Sequence, residues 1–326
     1  MSAGKCLQRF LGSLQPQFGP RGRFKWLGAL YEAVDGFFFA PSVTTRNGSH
    51  VRDAIDFNRI FGVVVLLLLP CAAVAAVEGG WRFIALAAVC WASAFVVECV
   101  AAQLLHHRMD GAFWVTSLIV ALAVPATAPL HLVAIAVAFA VLTGKVAFGG
   151  TGMNIWNPAM LAVAFLTYAF PDAVAGPSFL HLSLMPWYAL VAIGLGGLLL
   201  VLTGIASWRP VLGSLAGGAL AAAICLLPGM PGGDVPYLSR LLCGGFLFGS
   251  FFIVSDPVTC AQTRQGMLVS GLLCGILAVF FQSIPAARGD GMMPAVLLVN
   301  TFNPLIDRCV IWLSIRRKKG RVVQYD

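Results

Sequence analysis

From Phe61 onward the chain alternates long apolar runs with short breaks marked by proline, glycine or charge. Ten runs stand out, approximately 61–77, 83–103, 113–128, 130–147, 155–170, 186–205, 209–228, 239–256, 267–284 and 292–314. Each is long enough, or nearly so, to cross a bilayer core as a helix. The third and fourth are separated only by Pro125-Ala126-Thr127-Ala128-Pro129. Ahead of them, residues 1–60 are mixed and basic, without an apolar core at the start, so no cleavable signal peptide is expected. Within that arm Leu27 to Phe39 is aromatic-rich and weakly amphipathic, suited to lying along a membrane face. Ala40 to Asp56 is polar and turn-rich, either a surface linker or a docking loop.

Composition narrows the class. The chain is 59 % hydrophobic and 10 % charged with a mean hydropathy of +0.88, which places it in lipid and excludes disorder, collagen and nucleic-acid binding. Its net charge of +8 is densest in Arg316-Arg317-Lys318-Lys319-Gly320-Arg321, directly after the last apolar run, the position of a cytoplasmic anchor. An even number of spans puts both termini on one side, and two basic tails make that side cytoplasmic. The inner loops add little: Arg108, Lys145, Arg209 and Arg264 fall on that side, Arg82, Arg240 and Arg288 on the other. The nine cysteines form no Cys-x-x-Cys pair and mostly sit in apolar runs, so they read as small buried hydrophobes rather than a disulfide framework or zinc site. A cluster ligated jointly with a partner subunit stays open.

One phrase occurs twice. Asn154-Ile155-Trp156-Asn157-Pro158 and Asn300-Thr301-Phe302-Asn303-Pro304 both read Asn-x-x-Asn-Pro with an aromatic before the second Asn, 146 residues apart. Asn-Pro is a common turn dipeptide, but paired breaks at matching places in two halves also point to a midplane binding site. Motif copies in the fifth and tenth spans imply two units of five. An odd-numbered unit repeated in tandem enters the membrane with opposite polarity, so the expected fold is an all-α polytopic protein of about ten transmembrane helices in two inverted five-helix repeats. The expected division is an arm (1–60), a first repeat (61–170), an external loop (171–185), a second repeat (186–314) and a basic tail (315–326). A weaker echo pairs Phe113-Trp114-Val115-Thr116-Ser117 with Phe251-Phe252-Ile253-Val254-Ser255.

Candidate chemistry gathers near these motifs. Gly149-Gly150-Thr151-Gly152 precedes the first one, and its glycines would free backbone N–H groups beside the Asn amides for a polar ring system. A plain tight turn is the competing reading. Gly150, Gly152, Asn154, Asn157, Asn300 and Asn303 are therefore the candidate ligand-binding residues. Phe248 and Phe252 lie four apart, on one helical face, with Asp256 a further turn along at the end of the eighth span. The phenylalanines alone suit lipid or core packing, whereas an acid at a span's end is a functional hypothesis. Glu98 and Asp307 are the other acids in apolar runs. Asp307 has Arg308 beside it, with Arg52 and Arg59 as further candidate partners. Glu98 has no basic neighbour in sequence, which favours an ion or proton path. His106-His107-Arg108-Met109-Asp110 reads as a polar interfacial loop, and no metal site or catalytic triad is expected.

Several segments resemble a known family. Ser42-Val43-Thr44-Thr45-Arg46-Asn47-Gly48-Ser49-His50-Val51-Arg52-Asp53-Ala54, Phe148 through Met160, Phe251 through Thr259 and Gly291 through Asp307 look like NqrB, a membrane subunit of the sodium-pumping NADH:quinone reductase. RnfD of the Rnf complex belongs to the sister group. The resemblance covers roughly residues 30 to 315. It implies a non-covalent riboflavin, a quinone site near the cytoplasmic face, and electron transfer coupled to Na+ or H+ movement. It further implies partner subunits of a Rnf/Nqr-like complex in a bacterial inner membrane. By position, Asn154 and Asn157 would contact riboflavin, Phe248 and Phe252 would line a cation constriction near Asp256, and Glu98 would stand on the cation path. The family also carries FMN on the threonine of a Ser-Gly-Ala-Thr motif after the fifth span. Here that loop reads Asp172-Ala173-Val174-Ala175-Gly176-Pro177-Ser178, and no Gly-Ala-Thr occurs anywhere in the chain. Ser178 stands where a degenerate motif would attach a covalent flavin, but covalent FMN is not expected. Two other functions share this fold and suit the lost motif: a channel or transporter for a small polar solute or ion, and a cofactor-free assembly scaffold.

Overall fold

A computed structural model of the chain describes residues 3–18, 22, 28, 31, 57–105, 109, 111–176, 178–179, 187–226, 241, 244–282 and 291–322. The polar segment 40–56, with its Ser42 to Ala54 motif, lies outside the described residues, as do His106-His107-Arg108 and 180–186. Among the described residues all regular structure is helical.

Helix α1 (Ala3–Phe18) opens the arm. Helix α2 (Phe57–Leu105) carries the first two spans as one 49-residue run, interrupted at Gly80 by φ 59° and ψ −149°, a conformation that a side chain disfavours. A straight helix of that length would be about 74 Å long. Yet the Gly111 N–H donates to the Asn58 side chain at 2.7 Å, and six residues beyond Leu105 reach at most about 21 Å. The two arms of α2 must therefore fold back on each other at Gly80, which makes them the antiparallel pair that the apolar pattern requires.

The chain continues through α3 (Ala112–Ala123), α4 (Leu130–Gly144) and α5 (Pro158–Ala169) in the first repeat. The second holds α6 (Trp187–Leu202), α7 (Trp208–Cys225), α8 (Gly244–Phe248), α9 (Arg264–Gln282) and α10 (Met292–Val322). With α2 counted as two arms, these segments fall at the ten places where the sequence put spans, as two inverted repeats of five. The runs Asn58–Leu105, Leu130–Phe148, Trp208–Cys225, Arg264–Gln282 and Met292–Lys318 are long and apolar enough to cross a membrane. The shorter α3, α5 and α6 end in irregular backbone, which lipid tolerates only where protein or a cavity lines it.

The echo between the third and eighth spans has a structural counterpart: the Ser117 hydroxyl bonds the Phe113 carbonyl, and the Ser255 hydroxyl bonds that of Phe251. The paired break does not survive in full. Asn157-Pro158 starts a helix, whereas Asn303-Pro304 sits inside α10, which runs on through the expected basic tail to Val322. Pro304 has no N–H to bond the Asn300 carbonyl one turn back, yet the helix continues through it.

Small residues set the second repeat's geometry. Gly213 and Gly217 on α7 and Gly271 and Gly275 on α9 form reciprocal Gly-x-x-x-Gly faces. A Cβ at any of the four would lie 2.0–2.6 Å from a backbone oxygen of the facing helix. In lipid, where burying apolar surface drives little association, this close backbone approach holds helices together.

Candidate functional site

The two copies of the motif touch. The Trp156 indole N–H donates to the Thr301 hydroxyl at 2.9 Å, so an aromatic of the first motif is bonded to the second. Thr301→Val removes that acceptor from a solvent-accessible bond, so we expect a loss of no more than about 1 kcal/mol. Thermal unfolding in detergent should register it as a small downward shift.

Asn157 does two jobs. Its Oδ1 caps α5 by accepting from Ala159 N (3.0 Å) and Met160 N (3.4 Å). Its Nδ2 crosses to the other repeat and donates to Asp256 Oδ2 at 3.3 Å. Asp256 also accepts from Thr259 Oγ1 (3.0 Å) and Val258 N (3.2 Å). The acid reaches this position because the chain leaves α8 through a π-helical turn, Gly249–Ile253, of the kind that often marks functional sites. Phe248 and Phe252 keep their stack across that turn, with ring centroids 5.0 Å apart. Phe252 and Phe251 lie against Gly196 and Gly197 of α6, where a Cβ would meet them at 3.0 and 2.4 Å.

These groups surround a cleft between the repeats that is partly open to solvent and has a cavity volume of about 50 Å³, small beside the roughly 300–1,000 Å³ of a typical small-ligand site. Its polar lining is Thr116, Lys145, Thr151, Asn154, Asn157, Ser255 and Asp256, set against an apolar wall that includes Phe61, Leu200 and Phe252. Thr151 Oγ1 is buried without a hydrogen-bond partner among the described residues, an unmet donor and acceptor on the cleft.

Several expected residues act at one remove. The three glycines of the turn offer no free amides, because Gly149 N bonds Val146 O, Gly150 N bonds Lys145 O and Gly152 N bonds Asn154 Oδ1. Gly150 and Gly152, with φ of 101° and 96°, shape the turn and do not line the cleft. Asn303 and Asn300 also sit off the cleft lining. Asn303 binds the Thr259 carbonyl (2.8 Å) and accepts from the Ser270 hydroxyl (2.6 Å), while the Asn300 Nδ2 is buried without a partner among the described residues. Asp307 accepts from Gln262 N (2.7 Å), Thr263 N (2.9 Å) and the Thr263 hydroxyl (2.6 Å). Asn157, Asn303 and Asp307 thus clamp the loop carrying Asp256 from both repeats. Ser178 is 5 % exposed, a poor position for an enzyme to attach a flavin.

Glu98 is not isolated. It forms a buried ion pair with Lys145, from 47 residues further along. Lys145 reads from sequence as a loop cation but is 3 % exposed and lines the cleft, whereas Glu98 does not. Lys145, Thr151, Thr116 and Ser255 are the polar lining residues that the sequence reading did not place among its candidates. A lone lysine inside the apolar run 130–147 was the available signal for the first.

The lining offers the group types that the riboflavin implied by the resemblance would use, amides and hydroxyls for its polar edge and an aromatic-bearing wall for its ring faces, in a cleft that would have to widen to admit it. The NQR2, RnfD, RnfE family pattern matches the chain twice, over residues 44–183 and 176–315, one match for each repeat. The NqrB subunits of Na(+)-translocating NADH-quinone reductases are similar over nearly the whole length. That of Ectopseudomonas mendocina is 31 % identical, across 97 % of this chain and 100 % of its own. Those of Azotobacter vinelandii and Pseudomonas aeruginosa are 31 % and 30 % identical, across 97 % of this chain and 100 % and 99 % of theirs. The first alignment runs over 401 residues against the 326 here, so that relative carries segments absent from this chain. With a family match in each half, full-length relatives and two repeats meeting at their shared motif, the chain belongs to the NQR2, RnfD, RnfE family.

Proposed function

We propose that this protein is a membrane subunit of a Rnf/Nqr-type redox complex that holds riboflavin non-covalently between its repeats. On this reading it passes electrons toward quinone, coupled to movement of Na+ or H+. The observation that carries the reading is the cleft itself, lined from both repeats and holding a buried hydroxyl, Thr151, with no partner among the described residues. The flavin supplies the electron chemistry, and the protein supplies position, electrostatics and insulation. Asn154 and Asn157 orient its polar edge, Thr151 completes the hydrogen bonding, and Phe252 packs on the apolar side. The Phe248–Phe252 stack, Asp256 and the Asp307-clamped loop form the cation constriction, placed so that the loop's position depends on both repeats. Glu98 and Lys145 set the charge on one wall. The names of the relatives support partner subunits of the same kind and a quinone acceptor. We place both termini on the cytoplasmic face of a bacterial inner membrane. Without the Ser-Gly-Ala-Thr motif, the electron's first stop on this subunit is the non-covalent flavin, fed by a partner.

The test is an absorbance spectrum of the purified full-length protein before and after acid precipitation, with in-gel flavin fluorescence. Flavin released into the supernatant is expected. Fluorescence that stays with the band would assign a covalent flavin to Ser178 or another residue. An intact sample with flavin in neither fraction would overturn the redox reading in favour of a channel or scaffold.

A further inference from the structure

Packing within the chain does not account for the end of α10. Every residue from Ile311 to Lys318 is exposed, with Ile311, Trp312, Leu313 and Ile315 each about half accessible. That stretch makes two full turns, so the helix stands clear of the bundle on all its faces. Its character changes at one point: Ile311-Trp312-Leu313-Ser314-Ile315 is almost wholly apolar, and Arg316-Arg317-Lys318-Lys319-Gly320-Arg321 follows at once. From Met292 to Ile315 the helix runs about 36 Å, enough to cross a hydrocarbon core of about 30 Å. The cations therefore emerge at the headgroups, with Trp312 one turn beneath them, the depth at which indoles collect.

These cations lack counter-charges. No Asp or Glu lies between Arg308 and Tyr325, and among the described residues Arg316, Arg317 and Lys318 form no ion pair. Asp307, just upstream, accepts from Gln262 and Thr263 with both its oxygens. Arg316 instead lies over the Trp312 ring, its guanidinium carbon 3.9 Å from the ring centroid. Such a contact uses the face of the guanidinium and leaves its in-plane N–H groups for an oxygen acceptor. Apolar residues, an indole and then unpaired cations follow one another along the helix, in the same order as the acyl chain, ester carbonyl and phosphate of a lipid.

We propose that the end of α10 is a binding site for anionic phospholipid. Arg316, held by Trp312, takes the phosphate, while Arg317 and Lys318 add positive charge around it. The indole N–H of Trp312 serves the ester level, and Ile311, Leu313 and Ile315 meet the acyl chains. A zwitterionic lipid offers the same phosphate but brings its own cation, so the site discriminates by net charge. The bound lipid sets the depth of the same helix that, at Asp307, clamps the loop carrying Asp256. None of this depends on the flavin reading.

The test is native mass spectrometry of the purified full-length protein, released from detergent micelles holding equal amounts of phosphatidylglycerol and phosphatidylcholine with identical acyl chains. Wild type should retain phosphatidylglycerol in preference. The triple variant Arg316→Gln, Arg317→Gln, Lys318→Gln changes only exposed positions, so its size-exclusion profile should match wild type. Its preference should fall at least about fivefold, because each cation near an anionic surface contributes to binding. Trp312→Leu frees Arg316 and should weaken retention while keeping part of the preference. The control is Arg82→Gln with Arg209→Gln, which removes two arginines that also lie near tryptophan rings, at 5.7 and 5.0 Å, but have no basic neighbour in sequence. It should keep the wild-type preference. Equal retention of the two lipids by wild type, an unchanged preference in the triple variant, or an equal loss in the control would overturn the proposal. So would loss of the preference on adding inorganic phosphate at the lipid's concentration, which would make this a phosphate site and not a lipid site.

Discussion

Gly275→Leu should prevent the protein from accumulating as a folded, monodisperse species. A Cβ at Gly275 would lie 2.0 Å from Ser214 O and 2.7 Å from Gly218 N, both backbone atoms of α7. Extra bulk among movable side chains costs about 1–3 kcal/mol. Here no side chain can step aside, so α7 and α9 must separate. Their separation would also remove the support of the Ser214–Ser250 hydroxyl contact (2.8 Å), which ties α7 to the π-helical turn. Damage at this interface would therefore reach the Phe252–Asp256 wall of the cleft. Gly217→Ala, whose Cβ would lie 2.2 Å from Leu272 O, should give a milder form of the same defect. Gly194→Ala on α6 is the control, since a Cβ there meets nothing within 4 Å. Fluorescence-detected size exclusion and thermal unfolding in detergent measure all three. A wild-type profile for Gly275→Leu would show that α7 and α9 do not pack through these glycines.

Much of this architecture is legible in the sequence because lipid permits so few alternatives. Apolar runs become helices, an odd-numbered tandem repeat becomes an inverted one, and the two Asn-x-x-Asn-Pro motifs meet through Trp156 and Thr301. Sequence reasoning fails where the third dimension redistributes roles. The glycine turn looks like a set of free amides, but its own carbonyls and Asn154 take them up, leaving Thr151 as the group that faces the cleft. Glu98 and Lys145 are too far apart in sequence to be paired by inspection, and the pairing changes what each can do. Asn300 and Asn303 match the asparagines of the first motif, yet Asn303 braces a loop and neither lines the cleft, because their helix runs straight through the proline. Two copies of one phrase thus line a cleft in one repeat and clamp a loop in the other.

That division makes Asn157 the most informative single position, and it needs two substitutions. Asn157→Leu removes the cap of α5, a loss of about 1 kcal/mol, and strands the Ala159 N–H in a buried position. It also deprives Asp256 of a donor from the opposite repeat. The purified variant should be measurably less stable and should contain no flavin in its acid extract. Taken alone, that result would not separate a lost ligand contact from a weakened helix. Asn157→Asp separates them, because aspartate caps a helix as well as asparagine does. It keeps the acceptor for Ala159 N and sets a second carboxyl at hydrogen-bonding distance from Asp256, to which it can donate only while the pair shares a proton. With both carboxyls ionised the like charges repel, so at alkaline pH the loop clamped at Asp256 should shift away from the first repeat. Asn157→Asp is therefore expected to keep α5 near wild-type stability while losing flavin as the pH is raised. If it instead retains wild-type flavin content while Asn157→Leu loses it, the residue serves the cleft only by capping α5. If Asn157→Leu itself keeps its flavin, the ligand edge must be built from Thr151, Asn154 and Lys145 without it.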